Sequence, residues 1–227
     1  MFITLEGIEG AGKTSQVKNI VAFLEGRGYE CVTTREPGGT AIGAQIRRVL
    51  LDPENSAMDP GTELLLYTAD RVQHVRSFIV PHLAAGRVVL CDRFFDATLV
   101  YQGYARGLDM QLIRTLHRMV CGDLQPDLTL LFDLPPEVGL ARAWRQIDSG
   151  GRAGRETRFE HERLAFHRKV RDGYLQLAQG QLARFRILDA GQDAQTVARA
   201  VENALACFLD EKKARDATQD TPFAGHS

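Results

Sequence analysis

The sequence predicts an α/β fold in which a five-stranded parallel sheet carries helices on both faces. Short runs of β-branched and aromatic residues alternate with longer stretches whose apolar residues recur every three or four positions. Strands separated by helices pair in parallel through right-handed crossovers, and 227 residues suffice for one such domain. The predicted strands, in chain order, are Phe2–Glu6, Glu30–Thr34, Val88–Cys91, Leu128–Phe132 and Phe185–Leu188.

The helices follow from apolar periodicity and from the glycines and prolines that bound it. The first helix ends at Gly26 and Gly28, and the second stops before Pro53. A third helix is predicted between Pro60 and Pro81. The helical stretches, in order, are Val17–Leu24, Ile42–Leu50, Glu63–Ile79, Leu112–Met119 and Val197–Phe208.

Two stretches lack this periodicity. Residues 146–158 are polar and Gly-rich and predict a flexible lid loop between two helices. Residues 212–227 hold few apolar side chains and predict a disordered tail. We therefore expect a single domain over residues 1–211.

Composition limits the classes of function. Apolar residues at 44% and charged residues at 25% are typical of soluble globular proteins, and the net charge of −1 gives no reason to expect a nucleic-acid partner. The four cysteines show no metal-ligand spacing and are expected to be reduced thiols. No apolar run reaches the roughly 20 residues of a membrane span, and the first strand leaves no room for a leader. We expect a cytoplasmic protein without a membrane partner.

The segment GIEGAGKT, Gly7–Thr14, matches the phosphate-binding P-loop between a strand and a helix. Glycines let backbone N–H groups surround phosphate oxygens, and the helix N-terminus adds partial positive charge. Lys13 is expected to reach the β- and γ-phosphates of ATP or GTP, and the Thr14 hydroxyl to ligate Mg²⁺. The expected nucleotide-binding residues are Gly7, Gly10, Ala11, Gly12, Lys13, Thr14 and Ser15, within a P-loop NTPase fold.

Further motifs distinguish among P-loop proteins. TREPGGT (Thr34–Thr40) closes the second strand, CDRF (Cys91–Phe94) closes the third, and YTADRVQ (Tyr67–Gln73) lies on a helix. A further motif is VYQGYARG (Val100–Gly107). Together these segments resemble the thymidylate kinase family over nearly the whole chain. The resemblance implies transfer of the γ-phosphoryl group of ATP to dTMP, with Mg²⁺, in a homodimer.

The resemblance also implies residue roles at the phosphate. Arg93 and Arg35 would hold the 5′-phosphate of dTMP, and Glu9 would lie near the sugar 3′-hydroxyl. Asp92 would act on Mg²⁺ through water, and Pro37 would form a cis peptide bond beside the substrate. A phosphate monoester is already a dianion near neutral pH, so the acceptor needs no general base.

Other residues would recognise the nucleoside. By the same resemblance, Arg71 would hydrogen-bond the thymine ring and Tyr67 would stack on it. Thr98 and Gln102 would read the base edge, and Tyr101 would also contact the substrate. A purely structural role is the alternative for Arg93 as a partner of Asp92, for Tyr67 as a core residue, and for Glu9 as an exposed loop residue.

The P-loop contains no arginine, so positive charge for the transferred phosphoryl group is expected from the lid. Arg152 and Arg155 are the candidates, and the resemblance to bacterial enzymes implies the same arrangement. The expected catalytic residues are therefore Lys13, Arg93, Glu9, Arg152 and Arg155. The six histidines show no ligand spacing and are expected on surfaces or helix faces.

Two alternative functions remain at this point. One is a kinase of another pyrimidine nucleotide, or of a deoxynucleoside, in which Glu9 or Glu36 would serve as the base. The other is a non-enzymatic P-loop switch, against which the absence of an N-K-x-D guanine motif argues.

Overall fold

The computed structural model describes residues 1–150 and 156–219. Its sheet has five parallel strands, as the sequence predicts, and their order is β2-β3-β1-β4-β5. The observed bounds differ from the predicted ones by at most one residue at either end. The strands are β1 (Phe2–Glu6), β2 (Cys31–Arg35), β3 (Val88–Asp92), β4 (Leu128–Asp133) and β5 (Phe185–Asp189).

Both faces of the sheet are covered. Ile3 and Leu90 belong to the main hydrophobic cluster, whereas their neighbours Phe2 and Val89 belong to a second cluster. Successive side chains of a strand point to opposite faces, so the two clusters lie on opposite sides of the sheet. Near-continuous apolar strands are what this double burial requires.

The strand register brings the functional segments to one edge. Arg35 pairs with Asp92, and Asp92 pairs with Leu5 of the central strand. The segments that follow β1, β2 and β3 therefore begin side by side at the carboxyl edge, where ligands of such sheets bind.

The helices surround this sheet. Among the described residues, none is both long and apolar enough to cross a membrane. The helices are α1 (Lys13–Glu25), α2 (Ala41–Leu51), α3 (Pro60–His74), α4 (Val80–Ala84), α5 (Phe95–Thr98), α6 (Met110–Cys121), α7 (Pro136–Asp148), α8 (Leu164–Gly180) and α9 (Ala194–Gln219).

Two helical regions differ from the prediction. Pro81 does not bound the third helix, because a π-helical turn at Val75–Ile79 joins α3 to α4 and Pro81 falls in the first turn of α4. A second π-helical segment, Leu99–Ala105, extends α5. π-helical turns are frequent at functional sites.

Two predicted boundaries also differ from the helices of the structure. Helix α7 continues through Asp148, so the loop starts at Ser149, and residues 151–155 lie outside the described part of the chain. Helix α9 continues through Gln219, so residues 212–219 are helical rather than disordered. Lys212 and Asp216 are spaced to face each other along this helix, with 3.7 Å between Nζ and Oδ2. Residues 220–227 lie outside the described residues.

Candidate active site

A cavity of about 650 Å³ opens at the carboxyl edge of the sheet. It is lined by every sequence-predicted site residue that the structure describes, except Gly7. The predicted residues that line it are Glu9, Gly10, Ala11, Gly12, Lys13, Thr14, Ser15, Arg35, Pro37, Tyr67, Arg71, Asp92, Arg93, Thr98, Tyr101 and Gln102.

The phosphate loop packs tightly on α7. Gly10 has φ +71°, and a Cβ there would collide with the carbonyl oxygen of Gly139, so a side chain is excluded on both grounds. Lys13 Nζ donates to the carbonyl oxygens of Gly7 and Ile8, each at 2.9 Å. Burial and the nearby Arg93 guanidinium lower the pKa of Lys13 to about 8. Two cations so close together favour an anion between them.

Thr14 and Asp92 meet beside this loop. The Thr14 hydroxyl donates to Asp92 Oδ2 at 2.9 Å. A hydroxyl and a carboxylate are hard oxygen donors, and Mg²⁺ is commonly held by one or two carboxylates together with phosphates and waters. The two residues therefore fit Mg²⁺, although the described residues hold no group of three or more His, Cys, Asp or Glu side chains arranged for a metal.

Arg93 follows β3 in an unusual conformation. Its φ of +68° lies in the left-handed region, which costs a non-glycine residue of order 1–3 kcal/mol. Its Nη2 donates to Glu9 Oε1 and its Nη1 to the Tyr174 hydroxyl, both at 3.0 Å. Its partner is therefore Glu9 rather than Asp92. The strained backbone turns this guanidinium toward the phosphate loop.

Glu9 is buried, not exposed, and three side chains surround it. Its Oε1 accepts hydrogen bonds from Arg93 and, at 2.5 Å, from Tyr101. Its Oε2 lies 3.3 Å from His167 Nδ1. Burial alone would raise the pKa of Glu9, but Arg93 and His167 hold it well below its ordinary value. Glu9 is thus a poor general base.

A second carboxylate lies beneath this group. Glu6 is fully buried and accepts hydrogen bonds from the Tyr174 hydroxyl at 2.6 Å and from the Phe94 backbone at 2.8 Å. Burial, and then the neighbouring Asp96, raise the pKa of Glu6 to about 7. We refer to Glu6, Glu9, Arg93, Tyr101, His167 and Tyr174 as the Arg93 cluster.

Arg71 is held differently. Its Nε donates to Glu36 Oε2 at 2.9 Å, and its Nη2 donates to the Thr98 hydroxyl at 2.7 Å. Among the described residues its Nη1 has no hydrogen-bond partner. The Arg71 side chain is only 3% exposed, so this nitrogen offers a fixed donor beside Thr98.

The acceptor of this pair, Glu36, is fixed in turn. Its Oε1 lies 2.9 Å from His74 Nδ1, and His74 Nε2 lies 2.6 Å from the Thr34 hydroxyl. Asp70 accepts from the Gly38 backbone at 3.1 Å, and burial together with Glu36 raises its pKa to about 6. We refer to Glu36, Asp70, Arg71, His74 and Thr98 as the Arg71 cluster.

The TREPGGT turn contacts the segment that follows the lid. The Glu36–Pro37 peptide bond is cis, as the family resemblance implies. Arg47 donates to the Pro37 carbonyl at 2.9 Å and forms a two-point ion pair with Glu156, at 2.9 and 2.7 Å. No motif distinguishes Arg47 in the sequence, because it is one of two adjacent arginines on α2.

Glu63 organises a third group of charges. It is fully buried, accepts from Gln102 Nε2 at 2.7 Å, and pairs with Arg106 and Arg158 at 3.2 and 2.6 Å. Arg158 ends the predicted lid loop. It is buried against Glu63 and the Leu50 carbonyl, and it thereby joins the end of the lid region to α2 and α3.

A second cavity, of about 400 Å³, lies on the other side of the phosphate loop. It is lined by Arg142 and Arg145 of α7 and by Gln192 and Asp193, which follow β5. Arg142 Nη1 donates to the Ala190 carbonyl at 2.8 Å and links these two walls. Apart from the phosphate loop, no motif in the sequence identifies the residues that line this cavity.

Several expectations need correction or lie beyond the described residues. His74 and His167 are fully buried rather than on a surface, because each is enclosed by polar partners of the clusters above. Tyr67 is half-buried and lines the cavity. Arg152 and Arg155 lie outside the described residues.

The chain is similar to known proteins over most of its length. Residues 5–201 match the family model for thymidylate kinase. The thymidylate kinase of Desulfosudis oleivorans is 58% identical over 202 residues, which are 88% of this chain and 94% of the relative. That of Geobacter sulfurreducens is 53% identical over 204 residues, or 90% and 95% of the two chains.

The fold is similar to a solved structure as well. The crystal structure of thymidylate kinase from Ehrlichia chaffeensis superposes with a TM-score of 0.71 at 32% sequence identity. The match covers 91% of this chain and 98% of that one.

Proposed function

The chain belongs to the thymidylate kinase family, whose members transfer a phosphoryl group from ATP to dTMP, and from that premise we propose how its two cavities divide the substrates. The larger cavity takes dTMP, and the smaller one takes the adenine side of ATP. The phosphate loop lies between them and lines both. The observation that carries this assignment is the pair of cations Lys13 and Arg93 beside the loop, where a phosphate would relieve their mutual repulsion.

Arg93 anchors the acceptor phosphate. Its guanidinium is 18% exposed to the cavity, and it retains N–H groups beyond those given to Glu9 and Tyr174. Arg35, which its pairing with Asp92 places at the same edge, is the second proposed phosphate ligand. Catalysis then consists of bringing two anions together in line, which needs positioning and positive charge rather than a general base.

A deoxynucleoside kinase is disfavoured by the same geometry. Such an enzyme would need a carboxylate base at the 5′-hydroxyl. Glu9 has its pKa held low by Arg93, and Glu36 already accepts from Arg71 and lies against His74. The family match likewise gives no support to a different acceptor or to a non-enzymatic switch.

The Arg71 cluster recognises the base. Arg71 Nη1 supplies a donor for a thymine carbonyl, and the Thr98 hydroxyl, already an acceptor for Arg71, faces the same cavity. Tyr67 offers a ring for stacking, and Gln102 is oriented by Glu63, which accepts from its amide nitrogen. Tyr101, which donates a hydrogen bond to Glu9, lines the same cavity and is proposed to contact the substrate.

ATP and Mg²⁺ occupy the phosphate loop in this proposal. Backbone groups of the loop surround the phosphates, Lys13 reaches the β- and γ-phosphates, and Thr14 with Asp92 holds Mg²⁺. When bound, Mg²⁺ neutralises charge on the ATP phosphates. Arg142 and Arg145 line the adenine side. Arg152 and Arg155 remain the proposed lid residues for the transferred phosphoryl group.

We also propose a cytoplasmic setting and a homodimeric assembly. All four cysteines are free thiols, including the exposed Cys207, which suits a reducing cytoplasm. Leu65 on α3 and Met119 on α6 are 60% and 76% exposed, and these helices pack together. A homodimer through this face should sediment at twice the 25.2 kDa of one chain.

The function is tested by measuring ADP release from ATP·Mg²⁺ with a panel of acceptors. We expect strong preference for dTMP over dUMP, dCMP, AMP, GMP and thymidine. If another monophosphate were turned over as well as dTMP, the protein would still be a kinase, but Arg71 and Thr98 would not select thymine. Transfer to thymidine but not to dTMP would overturn the proposed phosphate site.

A further inference from the structure

His167 is a buried histidine of α8 whose two ring nitrogens both face oxygen acceptors. Its Nε2 lies 3.0 Å from the Phe159 carbonyl oxygen, and its Nδ1 lies 3.3 Å from Glu9 Oε2. Among the described residues, Glu9 Oε2 and His167 Nδ1 are both buried polar atoms without a hydrogen-bond partner. The two atoms lie within ion-pair distance of each other but do not form a well-aligned hydrogen bond.

This arrangement determines where the imidazole protons belong. A carbonyl oxygen only accepts, so Nε2 carries a hydrogen in either protonation state. In the neutral ring, Nδ1 would then present its lone pair to the Glu9 carboxylate. In the free protein Nδ1 and Glu9 Oε2 make no hydrogen bond. The imidazolium form would satisfy both acceptors once a small shift of either side chain closes this contact.

The carboxylates around the ring favour its protonation. The phosphate loop contributes Glu9, and the segment after the lid contributes Glu160. Tyr101 is neutral and donates to Glu9 Oε1, and Arg93, which also donates to Glu9 Oε1, adds positive charge that opposes protonation of His167. Burial lowers the pKa of His167, but Glu9 and Glu160 raise it above the ordinary value.

We propose that His167 positions Glu9 and takes up a proton from solvent when the phosphate dianion of the acceptor engages Arg93. The inference rests on the proposed phosphate-binding role of Arg93. At present Arg93 neutralises Glu9, and an arriving dianion would share that guanidinium and add negative charge nearby. A second cation at Glu9 Oε2 then keeps the carboxylate compensated in a buried site.

The consequence is a pH dependence of acceptor binding. The protonated form of His167 favours dTMP, so the KM for dTMP should rise as the pH increases through the pKa of free His167. The effect falls on KM more than on kcat, because His167 does not contact the transferred group.

The test is calorimetric titration of dTMP at about pH 7.5 in buffers of different ionisation enthalpy, which reports the protons taken up. At that pH the phosphate is already mostly a dianion and contributes little of its own. We expect the wild type to take up more protons than His167→Asn, by up to about one per site. Asparagine can still hydrogen-bond Glu9 but cannot be charged.

Three controls separate the outcomes. His161→Asn removes an exposed histidine of the neighbouring segment and should leave the uptake unchanged. Equal uptake by the wild type and His167→Asn would overturn the proposal. Equal affinity for dTMP and thymidine in the wild type would instead show that the proposed phosphate site is wrong.

If His167→Asn does not fold, the ¹⁵N signals of the imidazole in the wild type give the same answer. Addition of dTMP should convert one buried histidine to the imidazolium form, and thymidine should not. Absence of that change would also overturn the proposal.

Discussion

Arg93 and Arg71 both line the larger cavity and each is paired with a buried glutamate, yet their guanidinium groups are held in different ways. The Arg71 side chain is 3% exposed, and its Nε donates a hydrogen bond to Glu36. Arg93 is 18% exposed, and its glutamate is shared with Tyr101 and His167. Arg93 therefore keeps positive charge for an anion, whereas Arg71 offers hydrogen bonds to a neutral ring.

This difference between the two arginines lets one cavity distinguish the two ends of a nucleotide. Positive charge is concentrated beside the phosphate loop, where the Lys13 and Arg93 side chains repel each other. Near α3 the charge is already balanced by Glu36, so binding there depends on geometry. Substitutions at the two arginines should therefore differ in size and in kind.

Arg93→Ala should have the largest effect. It removes a preorganised donor for the phosphate, so kcat/KM for dTMP should fall by at least about 10²–10³-fold in a coupled ADP-release assay. Arg93→Lys, which keeps the charge but loses the planar fork, should recover part of the activity. Near-normal turnover by a folded Arg93→Ala variant would contradict the assignment of the phosphate to Arg93.

Arg71→Gln should have a smaller effect, confined to the acceptor. Loss of a charged hydrogen-bond donor costs about 1.5–3 kcal/mol, which corresponds to a roughly 10–100-fold rise in the KM for dTMP. The KM for ATP should be unchanged. Arg114→Gln, at an exposed position of α6, serves as the matched control. A comparable rise in the KM for ATP would show that Arg71 acts through the fold.

Asp70→Asn tests the electrostatic strain behind Arg71. The pKa of Asp70 is raised to about 6, so between its ordinary value and pH 6 the native state binds more protons than the unfolded state. Stability therefore falls as the pH rises through that window. The variant should gain about 1–2 kcal/mol in free energy of unfolding at pH 8, and the gain should disappear near pH 4.

Chemical denaturation at both pH values measures this gain. The exposed Asp123→Asn variant should show no such pH-dependent difference. A loss of stability in Asp70→Asn at pH 8 would mean that its bond to the Gly38 backbone outweighs the buried charge.

Tyr67→Phe should have the smallest effect. Among the described residues the Tyr67 hydroxyl has no hydrogen-bond partner, so only the ring is expected to matter. The KM for dTMP should change less than twofold, whereas Tyr67→Ala should lose a stacking interaction of roughly 1–3 kcal/mol. A large effect of the hydroxyl alone would assign Tyr67 a polar role in the site.

Most of the fold and the cavity lining could be predicted from the sequence. Strands such as Leu128–Asp133 are short apolar runs with clear ends, and the Gly7–Thr14 loop matches the P-loop spacing between a strand and a helix. Parallel strand order then places the motif residues at one edge.

Long-range polar contacts could not be predicted. His167 and Glu9 are separated by more than 150 positions, and no spacing rule links them. Arg158 follows the lid arginines in sequence, and nothing in that position indicates that it pairs with the buried Glu63. The continuation of the helix beyond Pro81 depends on a π-helical turn that periodicity does not encode.

The most direct test of whether Arg93 binds the phosphate and Arg71 the base compares the dissociation constants of dTMP and thymidine for the wild type, Arg93→Ala and Arg71→Gln. We predict that Arg93→Ala greatly reduces the preference for dTMP over thymidine, while Arg71→Gln weakens the binding of both ligands by the same factor. The reverse pattern, with the phosphate preference lost in Arg71→Gln and kept in Arg93→Ala, would contradict the assignment of the two clusters.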